Sequence, residues 1–483
     1  MNYLAEGYSE YKSPMFRKYS PQQLQNIHFA SLEILERTGV VLEHSVAVEM
    51  LKKAGAFVSN GNHVRIPSHL AEWALRTAPK RVVLCDREGS RVLPLEGNKS
   101  FFGPGSDCLN ILDHRTGQRR QAKYSDIVDV SKVCDALENI DFVMSTFLPW
   151  DLPQEIMDRY QMKAMLNHSR KPIVFVTTGY EGCEDCVKMA EIVAGGEEQL
   201  RKNPFIACYI NLSADLHHNK ESLQKLLFMA EKGLPTTFTP TGNRGALAPM
   251  TPAGAQAHIN AGNLVGLVLS QLKREGTPFI WGGWGIHMDM KTQVMPYASS
   301  GMIGLGVASA HFHGLPFFGL AGCSDSKLLD GQATAEVALT LLTDTLSGSN
   351  LIHDLGYLES GLMGSLELLV ICDEILYWIK DFMKGIEVNK ETLALDEIDS
   401  VGPHGHFIDS DHTFKHFRED WYPNLFDRQN YDGWLFSGSK TLNQRANEKL
   451  CEILDCSKPK ILSTHLQEKI ESVIHRSEER RVG

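Results

Sequence analysis

The densest group of potential metal ligands lies in GPHGHFIDSDHTFKHF, the stretch from Gly402 to Phe417. Its candidate ligands are His404, His406, His412, His416, Asp409 and Asp411. A zinc site would need about four such side chains around one point, whereas the glycines and the proline here indicate an ordered turn. The one Cys-x-x-Cys pair, Cys183 and Cys186, has no second pair of ligands at short spacing. The sequence therefore predicts no metal site.

Aromatic residues at the ends of short apolar runs suggest a different chemistry. The candidates are Phe102, Tyr209, Trp281 and Trp284. Ring faces bind quaternary ammonium groups, each contact contributing roughly 0.5 to 2 kcal/mol. The glycines of WGGWG let the backbone and the two rings approach a small ligand closely. These residues predict an aromatic cage for a cation, and the alternative is that the rings only pack in the core.

Polar groups at the same run ends are few. Asp325, His353 and Asp354 are the only acids and the only imidazole there, which is too few for a metal hydrolase or a carboxylate pair. The nucleophile elbow, the phosphate-binding loop and the dinucleotide fingerprint are all missing. Arg244, in TGNRGALAP, is a candidate partner for a substrate carboxylate, or else a loop arginine without a role.

The elements that must position these residues follow a regular order. Eight short apolar runs alternate with amphipathic stretches: SFFGPGS, DFVMSTFLP, KPIVFVTTG, PFIACYINLS, PTTFTPTG, PFIWGGWG, LPFFGLAGCS and NLIHDLGYLES. This alternation predicts an α/β fold, a (β/α)₈ TIM barrel whose chemistry lies at the carboxyl ends of its strands. We expect an N-terminal helical/β cap over residues 1–97, the barrel over 98–385 and a C-terminal helical extension over 386–483.

Composition narrows the class of partner. The chain has 483 residues, 43% of them hydrophobic and 22% charged, and a formal net charge of −11. It lacks a basic run with interleaved aromatics, so no nucleic-acid partner is expected. The start MNYLAEGYSEYKSPMF does not resemble a signal peptide, and no apolar run reaches the roughly 18 residues of a membrane span. We therefore predict a cytoplasmic protein with reduced cysteines and no membrane association.

Four long stretches resemble one known family, the trimethylamine methyltransferase (MttB) superfamily. They are HFASLEILERTGV, RGALAPMTPAGAQAHINAG, LAGCSDSKLLDGQATAE and GPHGHFIDSDHTFKHFREDWYPNLFDRQ. The resemblance covers nearly the whole chain. It implies a (β/α)₈ barrel that moves a methyl group from a methylated amine to the Co(I) of a separate, cognate corrinoid protein. The cobalamin would then be supplied by that partner, with no cofactor bound tightly here.

The branch of the superfamily is indicated by one absence. The best-known branch carries pyrrolysine, whereas every residue here is standard. This chain therefore resembles the betaine-type members, with glycine betaine as the expected substrate and proline betaine, carnitine or γ-butyrobetaine as alternatives. A quaternary nitrogen already carries the charge that makes its methyl group transferable, so no general acid or base is expected. A homo-oligomer is also expected.

Two other classes of function stay open. One is a metal-dependent lyase or hydrolase that uses Asp325, His353 and Asp354, and the other is a betaine-binding protein without enzymatic activity. For the methyltransferase, the resemblance implies a substrate-binding histidine at His353, which could donate a hydrogen bond to the betaine carboxylate. His353→Ala would then weaken betaine binding by at least about tenfold. The alternative is a buried imidazole bonded to backbone.

Overall fold

The computed structural model describes residues 15–212, 216–299 and 304–482. Its N-terminal part consists of helices and small antiparallel pairs of strands. The Ser20 hydroxyl accepts from the Gln23 backbone N–H, and the Gln23 side chain accepts from the Ser20 N–H, so both groups cap the first helix. The helices are α1 (Pro21–Glu33, continued by a π-helical turn over Ile34–Thr38), α2 (Ser45–Lys53) and α3 (Ser68–Thr77). The strands are β1 (Val40–Leu42), β2 (Phe57–Ser59), β3 (His63–Arg65), β4 (Val82–Cys85) and β5 (Arg91–Leu95).

The antiparallel pair of β4 and β5 closes one end of the barrel. Val82, Leu84, Leu93 and Leu95 belong to the same buried cluster as the inward-facing residues of the barrel strands. Since these strands precede the barrel, the pair covers the amino end and leaves the carboxyl end for the loops.

The remaining strands are short and mostly parallel. They are β6 (Phe101–Phe102), β7 (Asn110–Leu112), β8 (Arg119–Gln121), β9 (Ile173–Phe175), β10 (Ile206–Leu212), β11 (His217–His218), β12 (Thr236–Pro240), β13 (Phe279–Trp281), β14 (Phe318–Leu320), β15 (Leu351–His353), β16 (Tyr357–Leu358) and β17 (Met363–Gly364). β11 pairs with β1 and so attaches the N-terminal sheet to the barrel.

Backbone pairing runs around a ring of eight strand positions. β9, β10, β12 and β13 form one parallel sheet, and β14, β15 and β6 form a second. Parallel bridges join the two sheets at Trp281 and Phe317 and extend the first sheet from Ile173 to Val143. The N–H of Phe142 then donates to the Phe102 carbonyl oxygen at 3.3 Å. The predicted (β/α)₈ barrel is confirmed, because all eight predicted runs occupy this ring.

Helices follow the strands as predicted and surround the ring. They are α4 (Tyr124–Ala136), α5 (Met157–His168), α6 (Tyr180–Ala194), α7 (Glu197–Lys202), α8 (Lys220–Lys232), α9 (Pro252–Lys273), α10 (Leu305–Phe312), α11 (Gly331–Ser347) and α12 (Leu366–Phe382). The C-terminal helices are α13 (Leu395–Val401), α14 (Asp411–His416), α15 (Tyr431–Phe436), α16 (Leu442–Cys456) and α17 (Thr464–Val482). α16 packs on α12 and α4, and α17 packs on α6 and α5. Across the described ranges, the helices are all too short or too polar to cross a membrane.

A buried acid beneath β14 gives the fold a pH-dependent stability. Burial raises the pKa of Asp344 to about 7, against a hydrogen bond with the Ser349 side chain, which lowers it. An acid whose pKa is higher in the folded than in the unfolded state stabilises the fold below its unfolded pKa, and this stability is lost as the pH rises through 7.

Asp344→Asn should therefore raise the melting temperature at pH 8, by roughly 2 to 5 °C, because the amide carries no charge to bury. The difference from the wild type should vanish near pH 4, where the carboxyl is protonated in both states. Calorimetric melting at the two pH values measures this, and a pH-independent difference would contradict the assignment.

Candidate active site at the carboxyl end of the barrel

Four rings meet inside the carboxyl end of the barrel. The imidazole of His353 stacks on Phe318, with ring centroids 4.0 Å apart and planes inclined by 20°. Trp284 lies 5.1 Å from the same imidazole, and Tyr209 lies 5.7 Å from it. We call Tyr209, Trp284, Phe318 and His353 the ring cluster.

Alternation along the strands explains why these side chains converge. On β10, Ala207 and Tyr209 face the barrel interior, whereas Cys208 and Ile210 face the surrounding helices. Phe318 on β14 and Leu351 on β15 have the inward orientation as well. Successive side chains of a strand point to opposite faces, so His353, two residues after Leu351, also faces inward.

The structure brings together three of the predicted cage and binding residues, Tyr209, Trp284 and His353. It does not bring Phe102 or Trp281 to them. Phe102 faces outward, where the Lys380 ammonium lies 5.8 Å from its ring centroid. Trp281 also belongs to the outer core, beside Phe279 and His313. Phe318 was missed by the sequence reasoning.

His353 is held as a neutral imidazole. Its Nδ1 lies 2.6 Å from the Gly319 carbonyl oxygen, which can only accept, so Nδ1 carries the proton. Burial lowers the pKa of His353 to about 3, and Nε2 is therefore an acceptor. The predicted hydrogen bond from His353 to a substrate carboxylate does not fit this geometry, because neither nitrogen has a free proton to donate. What remains for a ligand is the ring face.

Two acids border the ring cluster. Asp354 follows His353 with a φ of 76°, and its Oδ1 lies 3.5 Å from His353 Nε2. Burial holds the pKa of Asp354 well above its usual value, and the nearby Asp107 carboxylate raises it further. A β-carbon added to Gly105 would lie 1.9 Å from Asp354 Oδ1, so only glycine permits this close approach. Asp354 is therefore a tightly enclosed acid whose protonated form is favoured by burial and by the charge of Asp107.

Asp107 differs from Asp354 in being open to solvent. It is exposed, yet burial raises its pKa, against the hydrogen bond from Ser106 and the charge of Lys225, which lower it. Both observations agree if Asp107 lies in the wall of a concave opening, where protein surrounds a side chain that solvent still reaches. Its φ of 74° and the 3.0 Å hydrogen bond from the Ser106 hydroxyl fix its position.

Asp325 holds a loop over the site. Its Oδ1 accepts from the Tyr297 N–H at 2.8 Å and from the Ser360 hydroxyl at 2.8 Å, and its Oδ2 accepts from the Ala298 N–H at 3.3 Å. Burial raises the pKa of Tyr297, and Asp354 and Tyr209 raise it further, so the Tyr297 hydroxyl lies near both. The structure thus gives Asp325 a loop-binding position, because both of its oxygens are already used by protein groups.

Asp325→Ala should release this loop. We expect limited proteolysis to cut the segment 286–299 at least about fivefold faster than in the wild type, because the two hydrogen bonds that join its backbone to Asp325 are lost. Asp330→Ala is the matched control, since it removes an acid that caps α11 through the Ala333 N–H. Equal cleavage rates in the two variants would show that Asp325 does not hold the loop.

Arg244 lies beside the ring cluster without joining it. It lines a cavity of about 20 Å³ with Trp284 and residues of α9 and α10, and its buried Nε has no hydrogen-bond partner in the described part of the chain. Burial raises the pKa of Tyr19, and the charge of Arg244 opposes that rise. The guanidinium therefore lies near Tyr19.

The histidine-rich stretch lies far along the chain from this site and makes ion pairs. His416 Nε2 lies 2.8 Å from Glu391, and its Nδ1 lies 2.9 Å from Glu419. His406 lies 3.2 Å from Asp409. Over residues 15–212, 216–299 and 304–482, no three potential ligands are grouped closely enough to hold a metal ion.

Comparison with known proteins agrees with this architecture. A family model described as "Trimethylamine methyltransferase (MTTB)" matches residues 6–481. The trimethylamine methyltransferase MttB of Desulfitobacterium hafniense is 33% identical to this chain, with 95% of this chain and 94% of that protein covered. The glycine betaine methyltransferase of the same species is 29% identical, with 95% and 97% covered.

A solved structure shares the fold. The monomethylamine methyltransferase MtmB of Methanosarcina barkeri superposes with a TM-score of 0.51 at 10% sequence identity, covering 92% of this chain and 89% of that one. At this identity the likeness supports the fold alone. The family match covers almost the entire sequence and therefore shows more than the fold. This chain belongs to the trimethylamine methyltransferase family and is a methyltransferase.

Proposed function

We propose that the protein transfers a methyl group from a quaternary amine, glycine betaine first among them, to the Co(I) of a cognate corrinoid protein. The observation that carries this proposal is the ring cluster at the carboxyl end of the barrel, where barrel enzymes place their chemistry. The relatives named for trimethylamine and for glycine betaine support a methylated amine as donor. The standard residue at every position favours a quaternary donor.

The ring faces suit such a donor because no protein cation occupies them. Within the described ranges, the lysines and arginines that lie over rings do so elsewhere, on Phe57, Tyr160, Phe228, Phe102, Phe417, Trp421 and Tyr422. A trimethylammonium group cannot donate strong hydrogen bonds. The ring faces of Trp284, Tyr209 and Phe318 can therefore bind it through its charge, without hydrogen bonds from water. Their work would be to exclude water and direct one methyl group towards the opening.

The partner's corrinoid would supply the nucleophile: cobalt(I) takes the methyl group while the electrons of the broken carbon–nitrogen bond stay on nitrogen, so a neutral amine leaves. No proton moves in this step, and none of the residues around the ring cluster needs to act as general acid or base. The rings must bind the ammonium only moderately, because its charge is lost in the transition state.

The cofactor, assembly and compartment complete the proposal. The ring cluster lies at the end of the barrel that the β4–β5 pair leaves uncovered, which fits a corrinoid carried in by a second protein. All ten cysteines are unpaired, and eight of them are buried, which supports reduced thiols and a cytoplasmic protein. A homo-oligomer is part of the same proposal.

A donor without a carboxylate beside its nitrogen is the second candidate. Asp107 faces the opening as an acid, His353 has no proton to donate, and the guanidinium of Arg244 lies near Tyr19. A betaine carboxylate would meet an acid there, whereas a simple tetraalkylammonium cation would be attracted. The negative charge at the opening is therefore the specific observation that favours a methyl donor with a net positive charge.

One assay tests the proposal and separates its candidates. The protein is incubated with reduced corrinoid protein and, in turn, glycine betaine, proline betaine, carnitine, γ-butyrobetaine, tetramethylammonium and trimethylamine. The cobalt absorption spectrum and the demethylated amine are followed together. Transfer from a quaternary donor is the expected result. Transfer from trimethylamine alone, or from none of the six, would overturn the proposal.

The ring face of His353 gives a separate prediction. We expect His353→Phe to keep the affinity for a quaternary donor within about threefold, whereas His353→Ala weakens it by about tenfold. Phenylalanine replaces the stacked ring, and alanine leaves a gap next to Phe318. Isothermal titration calorimetry on both folded variants measures the difference. Equal weakening by the two substitutions would show that a nitrogen atom of His353, and not its face, contacts the ligand.

A further inference from the structure

A lobe of the C-terminal region exposes most of its apolar side chains. It spans residues 385–418, which include α13, α14 and the histidine-rich stretch. Its large apolar residues are between 42% and 88% exposed: Ile386, Val388, Leu393, Leu395, Ile398, Phe407, Ile408, Phe414 and Phe417. Neither α13 nor α14 buries a single residue. We call this segment the exposed lobe.

Polar contacts give the exposed lobe a defined shape. Glu391 accepts from Lys415 and His416, which joins its two ends. The Asn389 side chain accepts from the N–H groups of Glu391 and Thr392, and Ser410 caps α14. A segment ordered by hydrogen bonds, with its apolar groups turned outward, has the composition of an interface and lacks a core of its own.

The exposed lobe leaves and rejoins the barrel at one place, the amino end. The helix α12 starts after β15 at the carboxyl end and ends at Phe382, so it delivers the chain to the opposite end. There the Lys384 ammonium donates to the Glu419 carbonyl oxygen at 3.4 Å. Just beyond the lobe, Trp421 stacks on Trp378 of α12, with centroids 5.2 Å apart. A methyl acceptor must reach the carboxyl end, so the acceptor protein is not what covers this lobe.

The area is enough for a stable interface. Nine large side chains, each roughly half to nine-tenths exposed, offer on the order of 1,000 Å² of apolar surface, against about 800 Å² that each partner buries in an interface of standard size. Trp378 and Phe382, 52% and 54% exposed, extend the patch onto α12. A surface of this kind needs a partner that is present whenever the chain is present, and another copy of the chain meets that condition.

We propose that the exposed lobe is the surface through which two copies of this chain associate, lobe against lobe. A two-fold axis would place the same patch on both copies, so that α13 and α14 bury their apolar sides against their counterparts. The histidine-rich stretch then serves assembly, which accounts for a motif that the active site does not use. The exclusion of the acceptor protein rests on the proposed function, whereas the exposed apolar surface of the lobe does not depend on the methyl donor.

The test uses the full chain and the double variant I408D/F414D. Sedimentation velocity should show wild-type dimers or larger assemblies, and the variant should sediment as the single 53.9 kDa chain. The far-ultraviolet circular dichroism should stay unchanged, because both side chains are exposed (82% and 78%) in the single chain. The matched control is Val46→Asp, an exposed apolar residue (54%) on α2, which should leave the assembly intact.

Two results would overturn the proposal. The first is a wild-type protein that is monomeric at micromolar concentration. The second is a double variant that keeps the wild-type mass, and if this variant also loses methyl transfer to the corrinoid protein, the lobe is assigned to the acceptor. Dissociation by the double variant, with the control intact, supports the lobe as the interface between copies.

Discussion

Trp284→Leu is expected to weaken the binding of a quaternary ammonium ligand by roughly tenfold, with little change in thermal stability. Trp284 is only partly buried, and its ring lies 5.1 Å from His353 and 6.1 Å from Phe318, so it forms the side of the ring cluster nearest the opening. Leucine keeps apolar bulk but lacks the negative ring face that attracts a cation. Calorimetric titration with tetramethylammonium and with glycine betaine measures the loss.

The matched control is Trp281→Leu, from the same WGGWG stretch. Trp281 is fully buried in the outer core, on the other side of the strand from the ring cluster. Its truncation should lower the melting temperature, because a large core side chain leaves a cavity, while ligand affinity stays near the wild-type value. If both variants lost affinity equally, Trp281 and Trp284 would not have the separate roles that we assign. Unchanged binding in Trp284→Leu and Tyr209→Leu would reject the cage.

The contrast between the two tryptophans shows how far the sequence could lead. Runs such as PFIWGGWG predicted a strand and its place in the barrel, because length and spacing alone decide that. They could not predict which residues face inward, since strands buried on both faces are apolar on both. Phe101 and Phe102, or Phe317 and Phe318, are equivalent in the sequence. Only the register of pairing turns Phe318 into the cluster and Phe102 away from it.

Loop residues were harder to predict for a different reason. Tyr297 reaches the site because Asp325, in the loop after the next strand, binds its backbone N–H. No local pattern predicts a contact between two loops. The same holds for Asp107, whose place in the opening depends on a left-handed backbone conformation and on Ser106. Asp325 follows β14, as its place in the sequence indicates, and no local pattern could show that its oxygens accept from Tyr297, Ala298 and Ser360.

The N-terminal and C-terminal helices were predictable from their spacing, and they are where the patterns place them. The short strands β1, β2 and β3 were missed, since three-residue strands carry too little alternation to stand out. For His353, the sequence shows a titratable ring but not the Gly319 carbonyl oxygen that accepts the hydrogen bond from its Nδ1.

Asp107→Asn is expected to weaken binding of tetramethylammonium by about tenfold and to leave glycine betaine binding unchanged or slightly tighter. The carboxylate attracts any cation in the opening with roughly 1 to 2 kcal/mol at the intermediate dielectric of a protein surface, which corresponds to about five- to thirtyfold in affinity. In a betaine, the attraction for the ammonium is offset by repulsion of its carboxylate. Asparagine tolerates the positive φ of 74° at this position, so the backbone is kept.

The affinity for tetramethylammonium should also depend on pH, and the direction of this dependence follows from the pKa of Asp107. Burial raises the pKa of Asp107, so as the pH falls the wild type should lose its advantage for the cation earlier than an ordinary aspartate would, while Asp107→Asn stays flat. Asp354→Asn is the matched control: burial and the charge of Asp107 favour the protonated form of its carboxyl, and an uncharged amide of the same shape should bind the cation about as the wild type does. Added salt should shrink the Asp107 effect. If Asp107→Asn bound both ligands like the wild type at low salt, Asp107 would not face the ligand, and the preference for a net cation would have to be abandoned.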